Sequence, residues 1–113
     1  KFKKFVKLEN AKDLLYQRCL LFVNPTGANP TGTVLSEKRR RQIYALAQKY
    51  DFLILEDDPY YFVNYLDYQP TSLLSLDTDG RVIRVDSFSK ILSAGIRIGF
   101  GVQTSRLMGN GRI

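Results

Sequence analysis

Three short apolar runs, each cut off abruptly by a polar, turn-forming segment, constrain the fold of this chain more than any other feature. Cys19-Leu-Leu-Phe-Val23 stops at Asn24-Pro25, and Phe52-Leu-Ile-Leu55 stops at Glu56-Asp57-Asp58-Pro59. Val82-Ile-Arg-Val85 follows the turn Thr78-Asp79-Gly80 and runs into Asp86-Ser87-Phe88-Ser89-Lys90. Runs this short with such boundaries read as buried strands. Between the first two lies Asn-Pro-Thr-Gly-Ala-Asn-Pro-Thr-Gly, residues 24–32, a tandem segment too rich in proline and glycine for helix or strand and therefore a shaped loop. Ser36 can cap a following helix, with Glu37 in its first turn. In that helix Ile43, Leu46, Ala47 and Tyr50 give one apolar stripe, with Arg39 to Arg41 largely off it. Ile96 to Val102, broken by Gly99 and Gly101, is expected to add a fourth strand. Strand, helix and strand with short connections predict an α/β fold, a partial doubly wound and mainly parallel sheet. Ligands of such sheets sit at the carboxyl ends of the strands, where all three polar segments fall.

A chain of 113 residues supports one compact unit, expected over residues 20–104, with an irregular extension at 1–19 and an irregular tail at 105–113. The formal charge of +6 raises nucleic acid as a partner, but much of it lies in Lys1, Lys3, Lys4 and Lys7 and in Lys38 to Arg41. Both groups read as a solvated tail and a solvated helix face, and no nucleic-acid motif accompanies them. Neither nucleic acid nor a membrane is an expected partner, since the longest apolar runs are far too short to span a bilayer. Cys19 is the only cysteine and histidine is absent, which leaves no metal site and no imidazole chemistry to expect. A soluble, intracellular protein is the expectation.

Lys90 lies just past a strand, among loops where a ligand would bind, and an amine there can form a Schiff base with a carbonyl or with pyridoxal phosphate. On its own it reads first as a surface lysine. Asp57 ends a buried strand, where desolvation favours a cationic partner such as a protonated pyridine nitrogen; a helix cap or a pairing with Arg97 would serve as well. Tyr60 and Asn29 are candidate donors to a phenolic oxygen, or respectively a packing ring and a turn former. Ser87, Ser89 and Arg97 could grip a phosphate, or could be loop hydroxyls and a surface arginine.

Together, Asn29-Pro-Thr-Gly32, Asp57-Asp58-Pro59-Tyr60, Ser87-Phe88-Ser89-Lys90 and Arg97-Ile98-Gly99 resemble, in order and spacing, the signature of class I/II aminotransferases of fold type I. The segment Glu56 to Phe62 and the Asp79-Gly-Arg-Val-Ile-Arg84 run are most similar to kynurenine/alpha-aminoadipate and fungal aromatic amino-acid aminotransferases. The resemblance spans about Leu20 to Phe100 and implies a piece of the large domain of a pyridoxal 5'-phosphate enzyme. It implies Lys90 as the Schiff-base lysine, Asp57 on the pyridine nitrogen, and Asn29 and Tyr60 on the phenolic oxygen. Ser87, Ser89 and Arg97 would hold the phosphate. Asn24 also begins an Asn-Pro-Thr-Gly, but the family spacing selects Asn29. Asp58 could replace Asp57, but only Asp57 stands three residues before Tyr60.

The resemblance further implies amino-acid and 2-oxo-acid substrates, a homodimeric parent enzyme, and a cytoplasmic or, for the parent, mitochondrial location. Members of the family are several times longer, and their substrate-carboxylate arginine lies in a C-terminal domain. The isolated chain is therefore expected to bind the cofactor weakly and to transaminate little, with a non-catalytic binding module or a truncated gene product as alternatives. A serine hydrolase reading of Ser87-x-x-Lys90 needs Ser-Asp-Asn and Lys-Thr-Gly segments, which do not occur.

Overall fold

The structure is a computed structural model that describes residues 19–105. The elements run β1 (Leu20–Val23), α1 (Glu37–Tyr50), β2 (Leu53–Asp57), β3 (Val82–Ser87) and β4 (Gly99–Gln103), with a short 3₁₀ turn at Leu74–Leu76. They form one sheet in the order β1-β2-β3-β4, in which the first three strands are parallel and β4 is antiparallel to β3. The α/β architecture and mainly parallel sheet are those expected. All but Cys19 of the expected 1–19 extension, and all but Ser105 of the 105–113 tail, lie outside the described residues.

Helix α1 begins as anticipated: Ser36 is extended and its Oγ accepts the Arg39 N–H at 3.4 Å. It ends on Asp51, whose left-handed backbone (φ 49) returns its N–H to the Ala47 carbonyl. Its buried stripe differs from the one read in the sequence. Arg40, Ile43, Tyr44 and Ala47 face the sheet, while Leu46 and Tyr50 are 40% and 64% exposed. Arg40 is thus no part of a solvated face. It is wholly buried because every arm of its guanidinium finds an acceptor: Nε donates to the Leu35 carbonyl (3.0 Å), Nη1 to the Thr71 carbonyl (3.2 Å), and Nη2 to the Pro25 carbonyl (3.1 Å) and Thr26 Oγ1 (3.0 Å). Glu56, also wholly buried, lies 4.0 Å away and accepts the N–H groups of Leu73 and Leu74 at 2.7 and 3.0 Å.

Register fixes which residues share a face. Ile54 pairs with Val82, Glu56 with Arg84 and Asp57 with Val85. Side chains alternate along a strand, so Ile54, Glu56, Val82, Arg84 and Asp86 face α1, whereas Leu55, Asp57, Val85 and Ser87 face the other way. The apolar core lies on the helix side, where Ile43, Tyr44 and Ala47 meet Ile54, Val82 and Leu73. At the amino end of β3, Arg81 Nε donates to Asp79 Oδ1 at 2.8 Å and its Nη1 to the Ala47 carbonyl at 2.7 Å, tying the strand to the end of α1. At the opposite end, Gly99 pairs with Ser87, and a Cβ there would come within 2.8 Å of the Asp86 carbonyl oxygen, so the antiparallel approach of β4 requires glycine.

Replacing Arg40 with Met keeps the length but leaves Glu56 and four acceptors short of their partner. Urea unfolding should show a loss of about 3–5 kcal/mol, against less than about 0.5 kcal/mol for the exposed neighbour Arg39→Met.

Candidate functional site at the strand ends

The parallel registers bring the segments that follow β1, β2 and β3 to one edge of the sheet. The two Asn-Pro-Thr-Gly units there have different tasks. Asn24 Nδ2 donates to the Asp57 carbonyl at 2.6 Å, stapling the end of β1 to the end of β2. Thr26 Oγ1 donates to Asp58 Oδ2 at 3.1 Å and takes the Arg40 bond already described. Gly27, at φ 66, packs under Tyr60, whose Cβ is 3.4 Å from where its own Cβ would stand. The second unit is a tight loop closed by the Ala28 N–H to Thr33 carbonyl bond of 2.9 Å, with a cis Asn29–Pro30 peptide and Asn29 exposed.

Asp57 and Asp58 part company at the end of β2. Asp57 is half-buried on the face away from α1. Burial, and secondarily the charge of Asp86, push its carboxyl above the ordinary range, and no cation among the described residues pairs with it. The alternative pairing with Arg97 is not made: Arg97 is exposed, adopts φ 53, and its Nη1 meets the Ala94 carbonyl at 3.4 Å. Asp58 is wholly buried on the helix side. Its Oδ2 receives Thr26 and lies 3.6 Å from Arg84 Nη1, whereas Oδ1 is buried without a donor among the described residues. Burial outweighs Arg84 and Thr26, and the Asp58 carboxyl is pushed up to about 6.

Lys90 is exposed in the turn after β3, with Nζ 5.7 Å from the centroid of the Tyr60 ring. Ser87 Oγ accepts the Ser89 N–H at 3.2 Å, which shapes that turn. The structure therefore brings Lys90 to Tyr60, and sets Asp57 and Ser87 on one face of adjacent strands. It does not bring Arg97 onto Ser87 or Ser89 by a hydrogen bond, nor the Asn29 amide onto Tyr60.

Sequence reasoning passed over Asn24 as a staple, and Arg40, Asp58, Arg84 and Asp86 as a buried charged band. The signal was there: Glu56 and Asp58 continue the every-second-residue phase of buried Ile54, as Arg84 and Asp86 continue that of Val82.

Comparison with known proteins fits this geometry. Residues 3–110 match the family described as aminotransferase class I and II. The chain belongs to that family. It is 59% identical over 80 residues to a mitochondrial kynurenine/alpha-aminoadipate aminotransferase of Bos taurus, covering 71% of this chain and 19% of the relative. An aromatic amino acid aminotransferase of Schizosaccharomyces pombe is 46% identical over 100 residues, covering 72% of this chain and 21% of the relative. Among solved structures, a Pyrococcus horikoshii kynurenine aminotransferase superposes with a TM-score of 0.74 at 38% identity, over 80% of this chain and 22% of that one. The chain thus spans about a fifth of the length of the curated relatives it matches.

Asp58 makes stability depend on pH in a definite sense. Its folded value lies above the ordinary 3.8 of an unfolded aspartate, so the protonated carboxyl favours the fold below about pH 4 and that contribution is lost as the pH rises to about 6. Asp58→Asn mimics the neutral form. It should gain roughly 2–3 kcal/mol relative to the wild type between pH 4 and pH 7 in urea unfolding; a constant difference across that range would contradict the assignment.

Proposed function

We infer that this chain is the cofactor-holding part of a pyridoxal-phosphate-dependent aminotransferase, with Lys90 as its Schiff-base lysine. The observation that carries the reading is the Lys90 amine beside the Tyr60 ring, at strand ends where the half-buried Asp57 carboxylate meets no described cation. The donor set suits the group: an amine for its carbonyl, a carboxylate for its ring nitrogen, hydroxyls and a guanidinium for its phosphate. When bound, pyridoxal phosphate supplies a protonated ring that draws negative charge away from the alpha carbon of the substrate.

Lys90 Nζ would hold the cofactor covalently and, as a free amine, would take up and return a proton. The Asp57 carboxylate accepts the ring N–H, and that positive charge opposes the burial which otherwise raises its proton affinity. The Tyr60 hydroxyl and Asn29 amide donate to the phenolic oxygen, and Ser87, Ser89 and Arg97 form charge-assisted bonds with the phosphate. Asn29 and Arg97 are both exposed and so are open to a ligand.

The substrates are an amino acid and a 2-oxo acid, of the kynurenine, aminoadipate or aromatic type named among the relatives. A homodimeric parent enzyme, cytoplasmic or mitochondrial, is part of the same reading. The 113-residue chain alone binds the cofactor weakly and turns over little, since its relatives are nearly four times longer.

Borohydride reduction in the presence of pyridoxal phosphate, followed by peptide mapping, tests the reading. The expected result is a label concentrated on Lys90 and lost from that peptide in Lys90→Ala. Label spread evenly over surface lysines such as Lys38 and Lys49 would reject it.

A further inference from the structure

We propose that Arg84 is a positioning residue for this site: by gripping Asp58, Asp86 and the ring of Tyr61 at once, it fixes the turn that presents Asp57 and Tyr60 to the opposite face of the sheet. The proposal rests on the reading of that face as the pyridoxal phosphate site. Arg84 lies on β3 facing α1 and is only 8% exposed. Its Nε donates to Asp86 Oδ2 at 2.9 Å, Nη2 lies 2.9 Å from the same oxygen, and Nη1 lies 3.6 Å from Asp58 Oδ2. The guanidinium carbon sits 4.2 Å from the centroid of the Tyr61 ring.

Asp58 and Tyr61 bracket Pro59 and Tyr60, so one rigid fork holds both ends of the short turn on which Tyr60 stands. The backbone completes the clamp, with the Asp58 N–H on the Val85 carbonyl and the Tyr61 N–H on the Asp58 carbonyl, both at 3.1 Å. On the other side, Asn24 fixes the Asp57 carbonyl. The peptide joining Asp57 to Asp58 is thereby held from both directions, and its two carboxylates must point to opposite faces.

Stability alone does not account for such a cluster. Buried ion pairs add little net stability, and Asp58 Oδ1 and Asp86 Oδ1 remain buried without donors among the described residues. What a planar fork supplies, and an ammonium does not, is direction.

Arg84→Lys keeps the charge and loses the fork. Arg81→Lys makes the same change at the far end of β3, where it loosens the strand without touching the turn, and so serves as the matched control. In the cofactor-free chain, the Asp58 and Tyr61 amides, measured against the Leu55 amide, should exchange hydrogen about tenfold faster in Arg84→Lys and unchanged within about twofold in Arg81→Lys. The dissociation constant for pyridoxal phosphate should rise about tenfold in the first and stay within about twofold in the second. Tyr61→Leu, which removes the stacked ring along with its edge contact to Phe62, should move the exchange ratio the same way by about threefold, and it decides the matter if Arg84→Lys does not fold. Equal exchange ratios in the two lysine variants, or dissociation constants that simply follow the melting temperatures of both, would overturn the proposal. Failure of the wild type to label on Lys90 would instead strike the cofactor reading, and the exchange ratios would still decide whether Arg84 holds the turn.

Discussion

Two buried guanidinium groups under the carboxyl ends of the strands hold the rest of this structure in place. Arg40 reaches from α1 into the backbone of the first Asn-Pro-Thr-Gly unit and onto Thr26, and Thr26 passes the connection to Asp58. Arg84 picks up Asp58 from the other side and carries it on to Asp86. The band crosses from the helix through β1 and β2 to β3, and each link depends on its neighbours because a buried charge without a partner is costly. Loops that proline and glycine would otherwise leave variable are thereby tied to the rigid part of the sheet.

This division of labour follows from strand geometry. Alternation sends Glu56, Arg84 and Asp86 to the helix side, with Asp58 beyond them, and Asp57 and Ser87 to the opposite side. Charges that orient the scaffold and groups available for chemistry therefore occupy opposite faces of the same few residues. The adjacent pair Asp57-Asp58 shows it best: one carboxylate is enclosed among arginines and threonine, and its neighbour is half-buried and free of any described cation. The same logic separates the two Asn-Pro-Thr-Gly units, since Asn24 is consumed in bonding the Asp57 carbonyl while Asn29 stays exposed.

Much of the fold was legible because its signals are local. Apolar runs ended by Asn24-Pro25 and by Asp58-Pro59 are strands that stop where no continuation is allowed, and Ser36-Glu37 starts a helix by satisfying its first N–H groups. Arg40 was not legible, because a run of four basic residues looks like a solvated surface until the acceptors from residues 25, 26, 35 and 71 are folded around it. Leu46 and Tyr50 misled for the converse reason: their spacing suits the stripe, but the sheet meets the helix one position round, at Tyr44 and Ala47. Within the site, the neighbourhood of Lys90 and Tyr60 and the common face of Asp57 and Ser87 follow from parallel strands in register. The positions of Asn29 and Arg97 depend on loop conformation, which no periodicity encodes.

On the reading proposed above, the open face of the strand ends, and not the basic surface elsewhere, receives the ring and phosphate of pyridoxal phosphate. A nitrogen-15 NMR titration of the chain with pyridoxal phosphate addresses it directly. Saturable shifts should concentrate on the amides of residues 57, 58, 60 and 87–91, with little change along α1. Shifts that spread instead over the exposed arginines of α1, Arg39 and Arg41, and rise without saturation would contradict it.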